Sequence, residues 1–269
     1  MMQITIPGFD IALTAGSGQC FRFNPLGEGR WRVVAFGRKL EITELENGSF
    51  LMDCDRESWE RYWRPYFDLG RDYEAVKAAI PMEDAFLRQA AAYAGGLRIL
   101  RQEPFETLIS FIISQRKNLP AIKGCVEALS RRFGTQINEG IHAFPTPEQL
   151  AGAGEDALRA CSLGYRAPYV AKTAAMVASG EVDLTAIGAL DDQKLQTELL
   201  RFPGVGVKVA DCAMLFGYGR ASAFPKDVWI LRVMQQHYGG KSPQERLGKY
   251  AGILQQYMFC YIRYLSHKK

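Results

Sequence analysis

Near residue 70 the apolar residues change their period, and that change restricts the chain to folds holding both a sheet and a helical body. Before it, Trp31, Val33 and Ala35 alternate with Arg32, Val34 and Phe36, and Leu40 and Ile42 alternate with Lys39, Glu41 and Thr43. A third apolar run, Phe50-Leu51-Met52, follows the Asn47-Gly48 turn. Period-two patterning broken by Gly-Arg and Asn-Gly turns predicts an antiparallel sheet over the first ~70 residues, too small to close into a barrel. From about residue 73 the spacing becomes helical. Pro104 opens a helix in which Phe105, Leu108, Ile109 and Ile112 share one face, and Phe111 and Ile113 add a second apolar side, so this helix is expected at the centre. Asn118 is placed to cap the next helix, with Pro120 in its first turn and Gly134 past its end. Thr146-Pro147-Glu148-Gln149 and Ser242-Pro243-Gln244-Glu245 both have the form of capping boxes, the second predicted to open a long C-terminal helix. The expected class is α+β, a small N-terminal antiparallel sheet followed by a helical body.

With 48% hydrophobic and 23% charged residues the chain has the balance of a soluble globular protein. Its mean hydropathy is −0.13, and it has no run of ~18 apolar residues of the kind a membrane span needs. The start, MMQITIPGFD, lacks a basic segment leading into an apolar stretch, so a secretory signal is not expected. Six cysteines stand apart with no C-x-x-C pair, a spacing suited neither to zinc nor to an iron–sulfur cluster. Reduced thiols in an intracellular protein are expected. The net charge of +4 is unevenly spread: residues 1–100 carry a net −2 and the remainder +6. An acidic partner would therefore meet the C-terminal two-thirds, although a basic surface can also be merely solvated.

The chemistry concentrates in residues 193–219, QKLQTELLRFPGVGVKVADCAMLFGYG. Helical stretches flank Phe202-Pro203-Gly204-Val205-Gly206, and two glycines one residue apart after a proline make a tight hairpin with exposed N–H groups. The second helix starts there, so its first amides can donate to a phosphate and grip a nucleic-acid backbone without reading sequence. A dinucleotide fingerprint would need glycine at Val209, and a P-loop would need glycine directly before Lys208 and Ser or Thr after it, so both fail. An αα-turn without function remains open on the hairpin alone. Lys208 lies among Val207, Val209, Ala210 and Ala213; desolvation there is expected to lower its pKa and yield an amine able to attack an electrophilic carbon. Asp227 is placed to cap a helix over 228–238. A cap alone needs no chemistry, but a lysine nucleophile near a carboxylate is what cleavage of a glycosidic bond requires.

Leu200 to Asp227 resembles the helix-hairpin-helix, Gly/Pro-rich, aspartate signature of the HhH-GPD superfamily of DNA glycosylases, in its bifunctional branch with a lysine. The resemblance extends to the 8-oxoguanine DNA glycosylase/AP lyase family. Ser17-Gly18-Gln19-Cys20-Phe21-Arg22 is similar to its S-G-Q-x-F-R motif, Arg98 to Pro104 to its R-x-L-R-Q-[DE]-P segment, and Leu163-Gly164-Tyr165-Arg166-Ala167 to its L-G-Y-R-A segment. Val209-Ala210-Asp211-Cys212 follows the lysine, and Tyr250-Ala251-Gly252, Gln255 and Phe259 resemble its C-terminal helix. These pieces span nearly the whole chain in order. The resemblance implies an N-terminal β domain over 1–96 and a helical catalytic domain over 97–269. It implies a base-excision-repair enzyme that flips 8-oxoguanine from duplex DNA, cuts its bond to the sugar, and nicks the strand by β-elimination.

Residue by residue, the resemblance implies that Lys208 attacks C1′ and forms a Schiff base, while Asp227 stabilises the oxocarbenium charge. Tyr165 would be the aromatic wedge that fills the gap left by the flipped base, although a loop tyrosine could equally be plain surface. The base pocket would be Gly18, whose carbonyl can accept the N7–H that distinguishes 8-oxoguanine from guanine, with Cys212 and Phe259 sandwiching the ring and Gln255 on its Watson–Crick edge. Without the family, Gln255 and Phe259 read as amphipathic packing four residues apart. Gly204, Gly206, Arg166, Arg116 and Lys226 would contact DNA. The carbonyls of Leu200, Phe202 and Val205 would hold a structural monovalent cation, and no cofactor is expected for catalysis. The partner is double-stranded DNA bearing a damaged base, met by a monomer in the cytoplasm or nucleoid of a bacterium or the nucleus of a eukaryote.

Three departures from the family pattern stand out. Trp229 follows Val228 where a phosphate-contacting histidine is common, and Lys226 can supply that contact instead. Ser114-Gln115-Arg116-Lys117-Asn118 replaces an asparagine-rich stretch that reads the orphaned cytosine, with Arg116 at the first asparagine position. Ala121 stands where an arginine usually supports that reading, so a relaxed or different preference for the opposite base is expected. Two other functions stay open: a glycosylase of this fold for an alkylated purine, and a non-catalytic helix-hairpin-helix DNA-binding module, which would need neither Lys208 nor Asp227.

Overall fold

The computed structural model describes residues 1–268. Five strands form one antiparallel sheet: β1 (Met2–Thr5), β2 (Phe23–Gly27), β3 (Arg30–Ala35), β4 (Arg38–Glu44) and β5 (Ser49–Met52), in the order β1-β5-β4-β3-β2. The period-two reading sets the register. Val33 pairs with Leu40 and Ile42 with Met52, and all four are fully buried on one face. Not all of the first ~70 residues are strand, however. Asp10 caps helix α1 (Ile11–Gly16) by accepting the Leu13 amide at 2.7 Å, and residues 56–66 form a helical segment that covers the sheet. That segment carries Trp59 and Trp63 at helical spacing, and with Tyr66 and Phe67 they complete the sheet's core.

The helical body comprises α2 (Ala85–Ala94), α3 (Pro104–Ser114), α4 (Leu119–Phe133), α5 (Ala167–Ala178), α6 (Asp192–Leu199), α7 (Val207–Cys212), α8 (Val228–His237) and α9 (Ala251–His267), with short helical turns between them. As its two apolar sides predict, α3 is buried from Thr107 to Ile113. The caps at Asn118, Thr146 and Asp227 all form. The expected box at Ser242 opens only the short turn Gln244–Leu247, which Gly248 ends at φ +57°. The long helix starts afresh at Ala251. Gly252 then passes so close to the 221–223 loop that a side chain there would strike the Ala223 carbonyl, and its amide donates to the Ala221 carbonyl at 2.7 Å.

The two cores interlock rather than part at residue 96. Tyr73, Val76, Leu87, Ala90 and Ala94 belong to the helical core, whereas Leu100 belongs to the sheet's. Buried Gln19 staples the seam: its amide donates to Ser17 Oγ and the Arg98 carbonyl, both at 2.9 Å, and accepts the Leu100 amide at 2.7 Å. Gln102 returns a bond to the Gln19 carbonyl at 2.7 Å. The Ser17–Arg22 and Arg98–Pro104 segments of the family resemblance are thus joined by polar residues that satisfy one another. All six cysteines are unpaired. No helix among the described residues is long and apolar enough to cross a membrane.

Candidate active site

The hairpin between α6 and α7 forms as its glycines predict. Gly204 has φ +77°, and a Cβ there would lie 2.5 Å from the Tyr169 ring, so both conformation and space demand glycine. Gly206 caps α7 in extended geometry and has open space where a side chain would be. The amides of Gly206, Val207 and Lys208 donate to no protein acceptor among the described residues. Three adjacent unmatched donors at an exposed turn suit an anion with several oxygens. Of the three carbonyls expected around a cation, that of Phe202 accepts the Val205 amide at 3.1 Å, while those of Leu200 and Val205 accept no bond among the described residues.

The last of those donors, Lys208, is half-buried with its Nζ 4.9 Å from the centre of the Phe111 ring. Its charge acts on the thiol of Cys212, one turn onward. Burial pushes that thiol up to about 11, with the Lys208 charge opposing. Asp227 faces the same charge. Its Oδ1 accepts the Trp229 and Ile230 amides at 3.1 and 2.9 Å. Burial raises this carboxyl above the ordinary range, against the pull of those amides, Lys208 and Arg263. Among the described residues Lys208 and Asp227 form no ion pair, and the lysine's charge acts on the carboxyl from beyond salt-bridge distance. The cap reading and the catalytic reading of Asp227 are therefore compatible: one oxygen is fixed by the helix and the residue still faces the lysine.

Of the residues expected to form the base pocket, Gly18 and Phe259 are brought together from opposite ends of the chain. Gly18, at φ +78°, brings its turn against α9, where an added Cβ would lie 3.8 Å from the Phe259 ring and 3.3 Å from Leu119. Gln255 is only 2% exposed. Its Nε2 donates to the Pro225 carbonyl at 3.0 Å and its Oε1 accepts from Gln256 at 2.8 Å, which leaves one amide N–H for a ligand. Arg263, unforeseen in the sequence, continues the stripe Gln255, Phe259, Arg263 along α9. Its guanidinium lies 5.2 Å from the Phe259 ring centre and donates to the Gly16 carbonyl at 3.3 Å. The arginine thus ties the glycine turn to the helix that faces it, and the i, i+4, i+8 spacing was the available signal.

Tyr165 is 49% exposed on the turn Gly164–Arg166. Arg166, expected among the DNA contacts, is instead turned inward at 5% exposure. Its Nε and Nη2 donate to the Gln115 carbonyl and its Nη1 to that of Leu163. This inward placement has a plain cause: two carbonyls at the end of α3 and in the Leu163 turn would otherwise lack donors. Arg116 is exposed and holds a left-handed backbone at φ +54°. Lys117 points back to the Ser162 carbonyl at 3.1 Å. Lys226 is exposed, with its charge felt by Asp211, whose carboxylate accepts from Gln196 at 2.7 Å. Trp229, in the position where histidine is common, is half-buried beneath the Arg232 guanidinium at 4.7 Å. Phe111 and the Pro225 carbonyl were also missed, since nothing in a local pattern tells which core residue will lie under a lysine or which carbonyl will hold an amide.

Comparison with known proteins identifies the family. The family model described as "8-oxoguanine DNA glycosylase, N-terminal domain" matches residues 1–108, and that described as "HhH-GPD superfamily base excision DNA repair protein" matches residues 109–250. A "Probable N-glycosylase/DNA lyase" of Methanothermobacter thermautotrophicus is 30% identical over 97% of this chain and 96% of its own length. The "N-glycosylase/DNA lyase" of Saccharomyces cerevisiae is 34% identical over 79% of this chain and 61% of its own. Among solved structures, the 8-oxoguanine glycosylase/lyase of Clostridium acetobutylicum, in complex with duplex DNA containing cytosine opposite 8-oxoguanine, superposes with a TM-score of 0.92 at 32% identity, covering 99% of both chains. With both domains matched in order, and with a half-buried lysine facing a helix-capping aspartate behind a glycine hairpin, this chain belongs to the 8-oxoguanine DNA glycosylase family of the HhH-GPD superfamily.

Proposed function

We infer that this protein is a base-excision glycosylase and lyase that removes 8-oxoguanine from duplex DNA. The observation that carries the reading is the placement of Lys208: half-buried, its amine 4.9 Å from the Phe111 ring centre, and its charge acting on both Cys212 and Asp227. The Lys208 nitrogen attacks C1′ of the everted nucleoside as the base departs. Asp227 offsets the positive charge that develops on the sugar. Loss of a proton from C2′ of the resulting Schiff base then expels the 3′ phosphate and nicks the strand. The Gly18 carbonyl accepts N7–H, Phe259 and Cys212 take the two faces of the ring, and the remaining Gln255 N–H meets the Watson–Crick edge. A matched donor and acceptor of this kind discriminates by about 1–3 kcal/mol.

The hairpin amides take a phosphate, and Leu200, Phe202 and Val205 supply hard carbonyl oxygens suited to a monovalent cation behind it; such an ion would steady the turn and add positive charge near the phosphate. Free cysteines and a DNA substrate fit an intracellular setting. Arg116 in place of asparagine, with Ala121 in place of arginine, points to a relaxed or altered choice of the base opposite the lesion. A cleavage panel of lesions against four opposing bases measures that choice, and excision of alkylated purines alone would transfer the chain to the alkylated-base reading.

Borohydride trapping tests the central step. The native protein crosslinks to 8-oxoguanine DNA, whereas Lys208→Gln gives no crosslink and binds the lesion within about tenfold of native, because base contacts and phosphate grip persist. A native protein that binds but never crosslinks would leave the DNA-binding module as the better reading.

A further inference from the structure

The parts of the DNA-facing surface are joined through residues that no step of the reaction uses. The Gln115 side chain lies at the end of α3, where its Nε2 donates to the Gly204 carbonyl in the hairpin at 3.0 Å and to the Ile112 carbonyl at 3.1 Å. The backbone carbonyl of the same residue takes the Arg166 guanidinium. That guanidinium lies 4.2 Å from the Tyr165 ring centre. A second path runs through Tyr169. Its ring packs against the bare face of Gly204, and it meets Tyr165 edge to face, with ring centres 6.3 Å apart and planes at 82°. The hairpin and the tyrosine turn are separated by some forty residues of sequence, yet each is tied to the other by a hydrogen-bonded route and a packed one.

We propose that Gln115 and Tyr169 are positioning residues that lock the phosphate hairpin and the Tyr165 turn into one rigid block, so that gripping the backbone and filling the vacated stack occur in fixed register. The proposal rests on the DNA-facing roles given above to the hairpin and Tyr165. Everting a base costs a few kcal/mol, and the aromatic ring can offset this only if it enters the stack at the step where the hairpin holds the backbone. A block with two internal ties holds that offset without reorganisation during the reaction. Fixing the Gln115 carbonyl also sets where the chain turns at Arg116, whose left-handed conformation directs it to solvent. The arrangement explains why Arg166 is directed inward.

Single-turnover excision and duplex affinity are measured for Gln115→Met, Tyr165→Ala and the double variant, with Tyr169→Phe and Tyr169→Leu alongside. Gln115→Met keeps length but loses both amide bonds. It should slow excision about tenfold while affinity for undamaged duplex stays within about twofold, because phosphate donors are retained. The double variant should excise no more slowly than Tyr165→Ala, to within about twofold, since an unlocked block has no wedge left to misplace. Tyr169→Phe keeps the ring and should match native, whereas Tyr169→Leu should fall with Gln115→Met. If Gln115→Met proves too unstable to assay, the Tyr169 pair decides the same question. Losses that multiply in the double variant overturn the coupling while leaving the wedge intact. Native excision by Tyr165→Ala overturns the wedge reading and the proposal with it.

Discussion

The seam between sheet and helical body and the face around Lys208 treat their polar groups in opposite ways. In the seam, Gln19 makes three side-chain bonds and receives a fourth through its carbonyl, and Arg98 donates to the Gly95, Leu97 and Pro7 carbonyls while its charge lies 4.3 Å from the Tyr73 ring centre. At the candidate site, three consecutive hairpin amides and one Gln255 N–H have no protein acceptor among the described residues, and Lys208 and Asp227 form no ion pair there. Satisfied groups contribute stability, and unmatched ones are tolerated where a ligand will complete them. The contrast separates residues that hold the fold from residues proposed to act on DNA, even though both sets lie in family motifs.

If that division is right, seam and site substitutions should fail in different assays. The largest stability loss is expected for Gln19→Ala, which strands the Arg98 carbonyl and the Leu100 amide. It should cost on the order of 3 kcal/mol in denaturant unfolding. A loss below about 0.5 kcal/mol would show that the seam is not held by this staple. Phe259→Ala should instead leave most stability in place and reduce discrimination of 8-oxoguanine from guanine by at least ~1 kcal/mol in competitive excision. Unchanged selectivity would place the pocket elsewhere.

The smallest effect sharpens the comparison by asking whether the seam is fully satisfied. Glu106 is held near Arg22, Glu103 and Glu127, where burial pushes its carboxyl up to about 8. A carboxyl raised in the folded state stabilises below its unfolded value, ~4.3, and that contribution is lost as pH rises through the window up to the folded value. Melting temperature should therefore fall between about pH 5 and 8, and Glu106→Gln should flatten the fall by on the order of 1 kcal/mol, or a few degrees. An equal slope in both proteins would show that other groups govern the alkaline side.

Much of this was legible in the residues because it is local. Alternation fixed the strands, caps at Asn118, Thr146 and Asp227 formed where a side-chain oxygen preceded a helical pattern, and the glycine hairpin followed from backbone conformation alone. The helical segment 56–66 was hidden by its position after three strands, although its tryptophans sit one turn apart. The box at Ser242 misled because its sequence fits a cap while Gly248 stops the helix a turn later.

What the sequence determined by itself was therefore the class of each element, the hairpin and the pairing of a lysine with an aspartate in one family pattern. Only the tertiary structure decided which way the side chains face and which donors remain unmatched. Arg166 and Arg116 read alike in the chain, yet one is buried against Gln115 and Leu163 and the other is exposed. The physical reason is that conformation is set within a few residues, whereas satisfaction of a polar group depends on partners brought from far along the chain: Gln115 finds Gly204, Gln255 finds Pro225, and Arg263 finds Gly16.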